Sequence, residues 1–99
     1  MTADWTETVT LNGHPFFVRH WGNKDAPKLL MLHGFPEYSG AWDDLAPLLA
    51  TRFHCIAPDQ RGYGQSWRPA EVEHYKTSQL VSDPALLFYP SSAAHDSTF

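Results

Sequence analysis

The sequence predicts an α/β fold, in which a β-hairpin precedes a strand–helix–strand unit and a second helix. Three observations carry this prediction. Asn12-Gly13, a strong two-residue hairpin signal, lies between two segments rich in β-forming side chains. Residues 29–32 and 53–57 are short apolar runs, which are typical of strands buried in a parallel sheet. Between these runs, residues 41–50 place apolar side chains at helical spacing.

The first two strands are predicted at residues 5–11 and 16–21. Side-chain character alternates along the first segment, as expected of a strand with one buried face. The pair Asn12-Gly13 fits a type I′ turn, because both central positions of that turn need a positive φ. An antiparallel hairpin is therefore expected to open the chain.

The next three elements form the predicted β-α-β unit, which implies a right-handed crossover between parallel strands. Its strands are residues 29–32 and 53–57, and its helix is residues 41–50. Pro47 interrupts this helix at a cost of about 3 kcal/mol, so the helix should be kinked or divided into two short parts. The side chains expected on its buried face are Trp42, Leu45, Leu48 and Leu49.

A second helix is predicted at residues 71–83, and it is expected to end there because Pro84 follows. Residues 90–99 show no periodicity. We therefore divide the chain into a partial core, residues 1–83, and an aperiodic tail, residues 84–99, for which a frameshift, disorder and a genuine C-terminus all stay open. The side chains expected on one side of the second helix are Val72, Tyr75, Gln79 and Leu80.

The composition narrows the class of protein. The 99 residues include seven Lys+Arg and eleven Asp+Glu, with no basic cluster to displace counterions from a nucleic acid. No apolar run approaches the roughly 20 residues of a membrane-spanning helix, and the N-terminus shows no signal-peptide pattern. The single cysteine, Cys55, fits a reducing compartment. We expect a cytoplasmic protein that binds neither nucleic acid nor membrane.

The first candidate site is the turn His33-Gly34-Phe35-Pro36, where the apolar strand ends abruptly. Glycine allows a sharp turn here, and backbone N–H groups beside a helix N-terminus can be aimed at an anion. Such a turn can form half of an oxyanion hole. The alternative is an ordinary strand-to-helix loop with a buried histidine, and the spacing alone leaves both open.

The second candidate site is the loop that begins at Asp59 and contains Arg61, Gly62, Gly64 and Ser66. It matches neither the Gly-x-Gly-x-x-Gly pattern nor a Walker phosphate loop. We interpret it as a structural turn in which Arg61 pairs with a carboxylate.

Other catalytic chemistry has little support in the sequence. The six histidines show no metal-ligand spacing and Cys55 is the single cysteine, so we expect no metal and no cofactor. Cys55 lies within an apolar strand and is expected to be a buried small hydrophobe rather than a nucleophile. No Gly-x-Ser-x-Gly turn, or its aspartate equivalent, occurs in the chain. Hydrolysis cannot proceed without a nucleophile, a base and an orienting acid.

The two candidate sites, in this order and separation, closely resemble the N-terminal part of the α/β-hydrolases. The resemblance covers about residues 5–83. The particular residues of the two motifs favour the epoxide-hydrolase branch, which shares its scaffold with haloalkane and fluoroacetate dehalogenases. It implies the N-terminal portion of an α/β-hydrolase fold with an incomplete sheet. By this resemblance, the main-chain N–H of Phe35 contributes to the oxyanion hole, and the loop is shaped by His33, Gly34, Pro36 and Glu37. The structural turn beside the active site falls on Asp59, Arg61, Gly62, Gly64 and Ser66.

The resemblance implies hydrolysis of a small-molecule substrate through a covalent ester, formed when an aspartate attacks an epoxide carbon. The nucleophile, the catalytic acid and the catalytic histidine would all lie beyond residue 83, so we expect this chain to be inactive alone. The alternatives are a non-catalytic remnant or a module completed by a partner, a dehalogenase-like or esterase-like hydrolase, and an unrelated α/β binding domain. The missing fifth strand would leave residues 29–32 at a sheet edge, where the chain can self-associate.

Overall fold

The computed structural model describes residues 3–34 and 37–88 of the chain. Its four strands form one sheet in the order β1-β2-β4-β3, where β1 is Trp5–Leu11, β2 is His14–Trp21, β3 is Lys28–Leu30 and β4 is His54–Pro58. The α-helices are α1, Ala46–Leu49, and α2, Thr77–Phe88. Two 3₁₀ turns precede them, at Ser39–Trp42 and Val72–Tyr75.

The N-terminal hairpin is confirmed. β1 pairs antiparallel with β2 along its whole length, from Trp5 opposite His20 to Leu11 opposite His14. The connecting residues Asn12 and Gly13 have φ angles of 53° and 83°, as a turn with two positive φ values requires.

The β-α-β unit is also confirmed, since β3 and β4 run parallel. β4 is buried throughout because it lies between β2 and β3. The expected burial of residues 29–32 holds for Met31 but is wrong for Leu29, Leu30 and Leu32. Leu29 and Leu30 are half-buried and Leu32 is 42% exposed, because β3 is the edge strand of the described sheet.

The segment predicted as one helix at residues 41–50 is divided into two parts, as Pro47 suggested. A 3₁₀ turn ends at Trp42, and α1 begins at Ala46 with Pro47 in its first turn, where a missing N–H does no harm. The predicted apolar face is wrong for Leu45 and Leu48, which are exposed. The intervening turn changes the helical phase, so the spacing of one continuous helix does not apply.

The second helix differs most from expectation. α2 continues through Pro84 to Phe88, so the prediction that helical structure ends before Pro84 is wrong. Val72, expected on its packed face, lies in a separate 3₁₀ turn and is exposed. Residues 89–99, the rest of the predicted tail, lie outside the described residues.

The sheet separates two apolar clusters. α2 covers one face, where Leu87 packs with Leu11, Phe16, Val18 and Ile56. α1 covers the other, where Ala46 packs with Trp21, Met31, Cys55 and Ala57. Among the residues described, no helix is long and apolar enough to cross a membrane.

Candidate active-site loops

The two candidate sites meet at one end of the sheet. His33 follows β3 and Asp59 follows β4, and the carboxyl ends of parallel strands share an edge where ligands commonly bind. Gln60 joins the two loops: its main-chain N–H donates to His33 Nε2 at 3.0 Å, and its side-chain amide donates to the His33 carbonyl at 2.6 Å. The loops therefore form one unit.

His33 is buried and fixed in one tautomer by its partners. Because Nε2 accepts from the Gln60 N–H, it carries no proton. The proton is on Nδ1, which donates to the Gly34 carbonyl at 3.0 Å. The Tyr63 ring packs against the imidazole in a T-shaped contact, with ring centroids 4.8 Å apart and an interplanar angle of 80°. His33 thus holds the start of the turn and has no free ring nitrogen for proton transfer.

Two hydrogen bonds between Gly34 and Glu37 close the turn. The Glu37 N–H donates to the Gly34 carbonyl at 2.8 Å, and the Gly34 N–H donates to Glu37 Oε1 at 3.2 Å. Phe35 and Pro36 lie outside the described residues, so the oxyanion-hole role predicted for Phe35 and the loop-shaping role predicted for Pro36 stay predictions. The helix predicted at residues 41–50 was expected to add its dipole here. Instead, the chain forms a four-residue 3₁₀ turn that begins at Ser39.

Asp59 is a buried hub whose contacts sequence reasoning missed. Its Oδ1 accepts from the N–H of Ser39 at 2.8 Å and from the hydroxyl of Ser39 at 2.5 Å. Its Oδ2 accepts from the Gln65 N–H at 2.9 Å. Its main chain donates to the Phe17 carbonyl and accepts from the Ser66 hydroxyl. A carboxylate so fully engaged holds loops together rather than attacking a substrate.

Two glycines let this loop pass close to its neighbours. Gly64 has φ 53°, and a Cβ there would lie 2.2 Å from Asp59 Oδ2. Gly62 has φ 90°, and a Cβ there would lie 2.7 Å from the Tyr75 ring. Both positions combine a backbone conformation that glycine favours with a lack of space for a side chain.

Arg61 is paired with a carboxylate, as the sequence suggested. Nε and Nη2 donate to the two oxygens of Asp83 at 2.9 and 2.8 Å, a bidentate pair with both side chains buried. Nη1 donates to the His74 carbonyl at 2.6 Å, and the guanidinium lies over the Trp67 ring. Arg61 therefore fastens α2 to the loop after β4.

The described part of these loops contains no catalytic set. Ser66, which follows Gly64 by two positions, is buried: its hydroxyl donates to the Asp59 carbonyl and accepts from the Phe17 N–H. Cys55 is buried, as expected, and burial raises the pKa of its thiol. Among the described residues, no group of three His, Cys, Asp or Glu side chains is arranged to hold a metal ion.

A chain of hydrogen-bonded histidines, which was not predicted from the sequence, lies at the opposite end of β4. Glu7 Oε2 lies 2.6 Å from His20 Nε2, and His20 Nδ1 lies 2.9 Å from His54 Nε2. The Trp5 ring stacks on both imidazoles. Burial lowers the pKa of His20 and of His54. The pairing of β1 with β2 and of β2 with β4 brings these residues together. No spacing within one segment of the sequence indicates this contact.

The part of the chain that contains both loops is similar to proteins of a known family. The sequence profile of the alpha/beta hydrolase fold matches residues 27–84. Epoxide hydrolase A of Mycobacterium tuberculosis is 40% identical over 84 residues, 84% of this chain and 26% of that protein. A haloalkane dehalogenase of Bradyrhizobium diazoefficiens is 46% identical over 57 residues, 58% of this chain and 18% of that protein.

A solved structure, epoxide hydrolase A from Mycobacterium thermoresistibile, is 33% identical to this chain and superimposes with a TM-score of 0.83. The match covers 87% of this chain and 27% of that one. The chain therefore spans about a quarter of the length of the epoxide hydrolases it matches.

Proposed function

Because the chain belongs to the α/β-hydrolase fold family, we propose that it supplies the N-terminal share of an epoxide-hydrolase-like active site. The observation that supports this most is the joining of its two loops by Gln60, which holds the turn after β3 against the structural turn after β4. The proposed substrate of the complete active site is a small epoxide. The residues that this chain contributes lie at the edge of the sheet, and the proposed compartment is the cytoplasm.

In the proposed reaction, a carboxylate outside this sequence attacks an epoxide carbon and the C–O bond breaks. A proton donor that also lies outside this sequence protonates the released oxygen, and a hydroxyalkyl-enzyme ester forms. A His-acid pair, also outside this sequence, then takes a proton from water, which adds to the ester carbonyl. The tetrahedral intermediate collapses, its bond to the alkoxy oxygen breaks, and the diol leaves with that proton while the carboxylate is restored. The Phe35 N–H donates to the oxygen that becomes negative in that second step. His33, Gly34, Pro36 and Glu37 hold the turn that aims this N–H.

The proposal implies that the chain alone does not turn over epoxides, since the nucleophile elbow is absent from its sequence. The test is a chimera in which residues 1–84 replace the matching segment of epoxide hydrolase A from M. tuberculosis. We expect the chimera to hydrolyse an epoxide such as styrene oxide, and the 99-residue chain to release no diol.

The role of the Phe35 N–H is tested in the same chimera. Phe35→Pro removes the main-chain donor and should lower kcat by about 10²–10³, the usual cost of one oxyanion-hole donor. Phe35→Ala keeps the donor and should lose far less. Equal activity of the two variants, with both folded by circular dichroism, contradicts the role of this N–H.

A second candidate function is dehalogenation, supported by the 46% identity to a haloalkane dehalogenase. Dehalogenation would use the same N-terminal part of the fold. A chimera therefore distinguishes the two functions only if the rest of its active site comes from the haloalkane dehalogenase. Halide release by such a chimera, with no diol from the epoxide-hydrolase chimera, favours dehalogenation.

The proposal also includes self-association of the chain through the open edge of β3. β3 has a partner strand on one side only in the described sheet. Unpaired N–H and C=O groups along an apolar edge strand favour pairing with another strand.

A further inference from the structure

The hydroxyl of Ser66 begins a continuous series of hydrogen bonds that ends at the turn after β3. This hydroxyl donates to the Asp59 carbonyl. The same peptide unit carries the Gln60 N–H, which donates to His33 Nε2 at 3.0 Å. On the other side of the imidazole, His33 Nδ1 donates to the Gly34 carbonyl at 3.0 Å. One peptide unit and one ring therefore connect Ser66 to Gly34, and we call these three hydrogen bonds the relay.

All hydrogen bonds of the relay run in the same direction. A peptide N–H can only donate, so His33 Nε2 accepts and the ring proton is on Nδ1. The Ser66 hydroxyl is oriented in the same way, because its oxygen accepts from the Phe17 N–H and its proton is directed at the Asp59 carbonyl. Hydrogen bonds that follow one another in one direction polarise each other, by roughly 10–30% per bond. Each donor of the relay therefore strengthens the next one.

The relay lies in the interior, where such polarisation has the greatest effect. Asp59 is fully buried, and Ser66 and His33 are each 6% exposed. A hydrogen bond is electrostatically stronger in this low-dielectric environment than in water. The relay thus transmits polarisation between two loops that are far apart in the sequence.

The N–H that follows Gly34 is the one that the proposed function assigns to the oxyanion hole. The Gly34 carbonyl shares a planar peptide unit with that N–H, so a fixed direction of the carbonyl also fixes the direction of the N–H. The carbonyl is held by two donors, His33 Nδ1 and the Glu37 N–H, the latter at 2.8 Å. A donor that polarises this carbonyl also makes the N–H of the same peptide unit a stronger donor.

We propose that Ser66 is a positioning residue for ester hydrolysis, because its hydroxyl orients and polarises the Phe35 N–H through the relay. No proton moves along the relay, and each hydrogen stays on its donor atom. This inference rests on the proposed function and adds to it, since a structural turn alone gives Ser66 no part in a particular step of the reaction.

The proposed role affects one of the two chemical steps. Negative charge develops on the ester carbonyl oxygen when water adds to it, whereas attack on the epoxide places no new charge on that oxygen. Removal of a whole oxyanion-hole donor lowers the rate by about 10²–10³. Loss of the Ser66 hydroxyl weakens the donor without removing it, so we expect ester hydrolysis to slow by about tenfold.

The test is single-turnover kinetics in the chimera described above, with the covalent ester followed by mass spectrometry. Ser66→Ala should leave the rate of ester formation unchanged and slow ester hydrolysis by about tenfold, so that the ester accumulates. Ser66→Thr keeps the hydroxyl and should restore the rate of hydrolysis. If Ser66→Ala does not fold, Ser66→Cys takes its place, since a thiol is a weaker donor than a hydroxyl.

The matched control is Ser39→Ala. Ser39 is also buried and its hydroxyl also donates to Asp59, but to the carboxylate oxygen Oδ1 rather than to the carbonyl of the relay. Both alanine variants should lower the urea unfolding midpoint, and only Ser66→Ala should slow ester hydrolysis. Equal slowing in the two variants, or equal slowing of both chemical steps in Ser66→Ala, overturns the proposal.

A second measurement, NMR of the 15N-labelled 99-residue chain, does not depend on activity. The Gln60 amide proton and the His33 Nδ1 proton should both move upfield in Ser66→Ala, because their hydrogen bonds weaken, and should stay in place in Ser39→Ala. A ring proton on His33 Nε2, or unchanged signals in Ser66→Ala, overturns the proposal. A wild-type chimera that folds but is inactive contradicts the proposed function instead, and the two proton signals then decide whether the relay exists.

Discussion

Gly64 leaves no room for a side chain, because the loop after β4 folds tightly onto the carboxylate of Asp59. We expect Gly64→Ala to destabilise the protein by about 2–4 kcal/mol, since the new Cβ meets Asp59 Oδ2 at 2.2 Å and the backbone keeps φ 53°. Urea denaturation measures the change as a lower unfolding midpoint.

Gly13→Ala is the matched control for this substitution. Gly13 has φ 83°, but nothing lies within 4 Å of the position that its Cβ would take. Backbone strain alone should then cost about 1–2 kcal/mol. A loss of stability for Gly64→Ala no greater than for Gly13→Ala shows that Asp59 yields easily, and contradicts its description as a fixed hub.

Single residues also show what the sequence can and cannot predict. The turn at Asn12-Gly13 is predictable, because its signal lies within the turn itself. The hydrogen bonds that make Asp59 a hub reach back to Ser39 and Phe17, 20 and 42 positions earlier. No pattern within one segment encodes such contacts, so the sequence predicts Asp59 as part of the structural turn but not as the residue that holds it together.

At the scale of elements, α2 shows local propensity overruled by tertiary contacts. Pro84 removes a helical N–H and predicts an end to the helix. Asp83, one position earlier, is fixed by the bidentate pair with Arg61, 22 positions away. Leu87, three positions later, is buried in the core. Contacts on both sides of Pro84 hold the chain helical, and these contacts are invisible to local sequence rules.

Pro84→Ala should therefore stabilise α2. The substitution restores a donor for the Leu80 carbonyl and removes the ring clash, which together amount to about 3 kcal/mol in a helix interior. Loss of the buried ring offsets part of this, so we expect a net gain of about 1–2 kcal/mol in the free energy of unfolding. Urea denaturation with an unchanged m-value measures it, and a lower midpoint contradicts it.

The sheet as a whole was predicted better than the helices, for a physical reason. Strand signals such as Asn12-Gly13 and the apolar run of β4 depend on short segments, and the parallel pairing of β3 and β4 follows from the element order. The exposure of Leu48 depends instead on how a turn rotates one short helix against the sheet. That rotation is a property of the packed molecule.

At the scale of the whole molecule, the chain of Glu7, His20 and His54 ties three strands together and makes stability depend on pH. Burial lowers the pKa of both histidines; Glu7 opposes this effect, whereas Lys24 and Lys28 add to it at His54. Unfolded histidines titrate near 6.5, so below that pH the unfolded chain binds more protons than the folded one. We expect stability to be greatest above pH 6.5 and to fall as the pH drops below it.

Urea denaturation at pH 7.5 and pH 5.5 measures this dependence. His54→Gln retains an amide donor for His20 Nδ1 but does not titrate, so its stability should change less between the two pH values than that of the wild-type chain. An equal change in both proteins shows that the dependence originates elsewhere in the molecule.

The strand order β1-β2-β4-β3 has a consequence for the synthesis of the chain. The hairpin is complete once residue 21 leaves the ribosome, whereas β3 has no partner until β4 emerges at residues 54–58. β4 must then enter between two strands that were made before it. Because such non-local pairing is slow and leaves strand edges open to other chains, the nascent protein is most exposed to misassembly over this interval of translation.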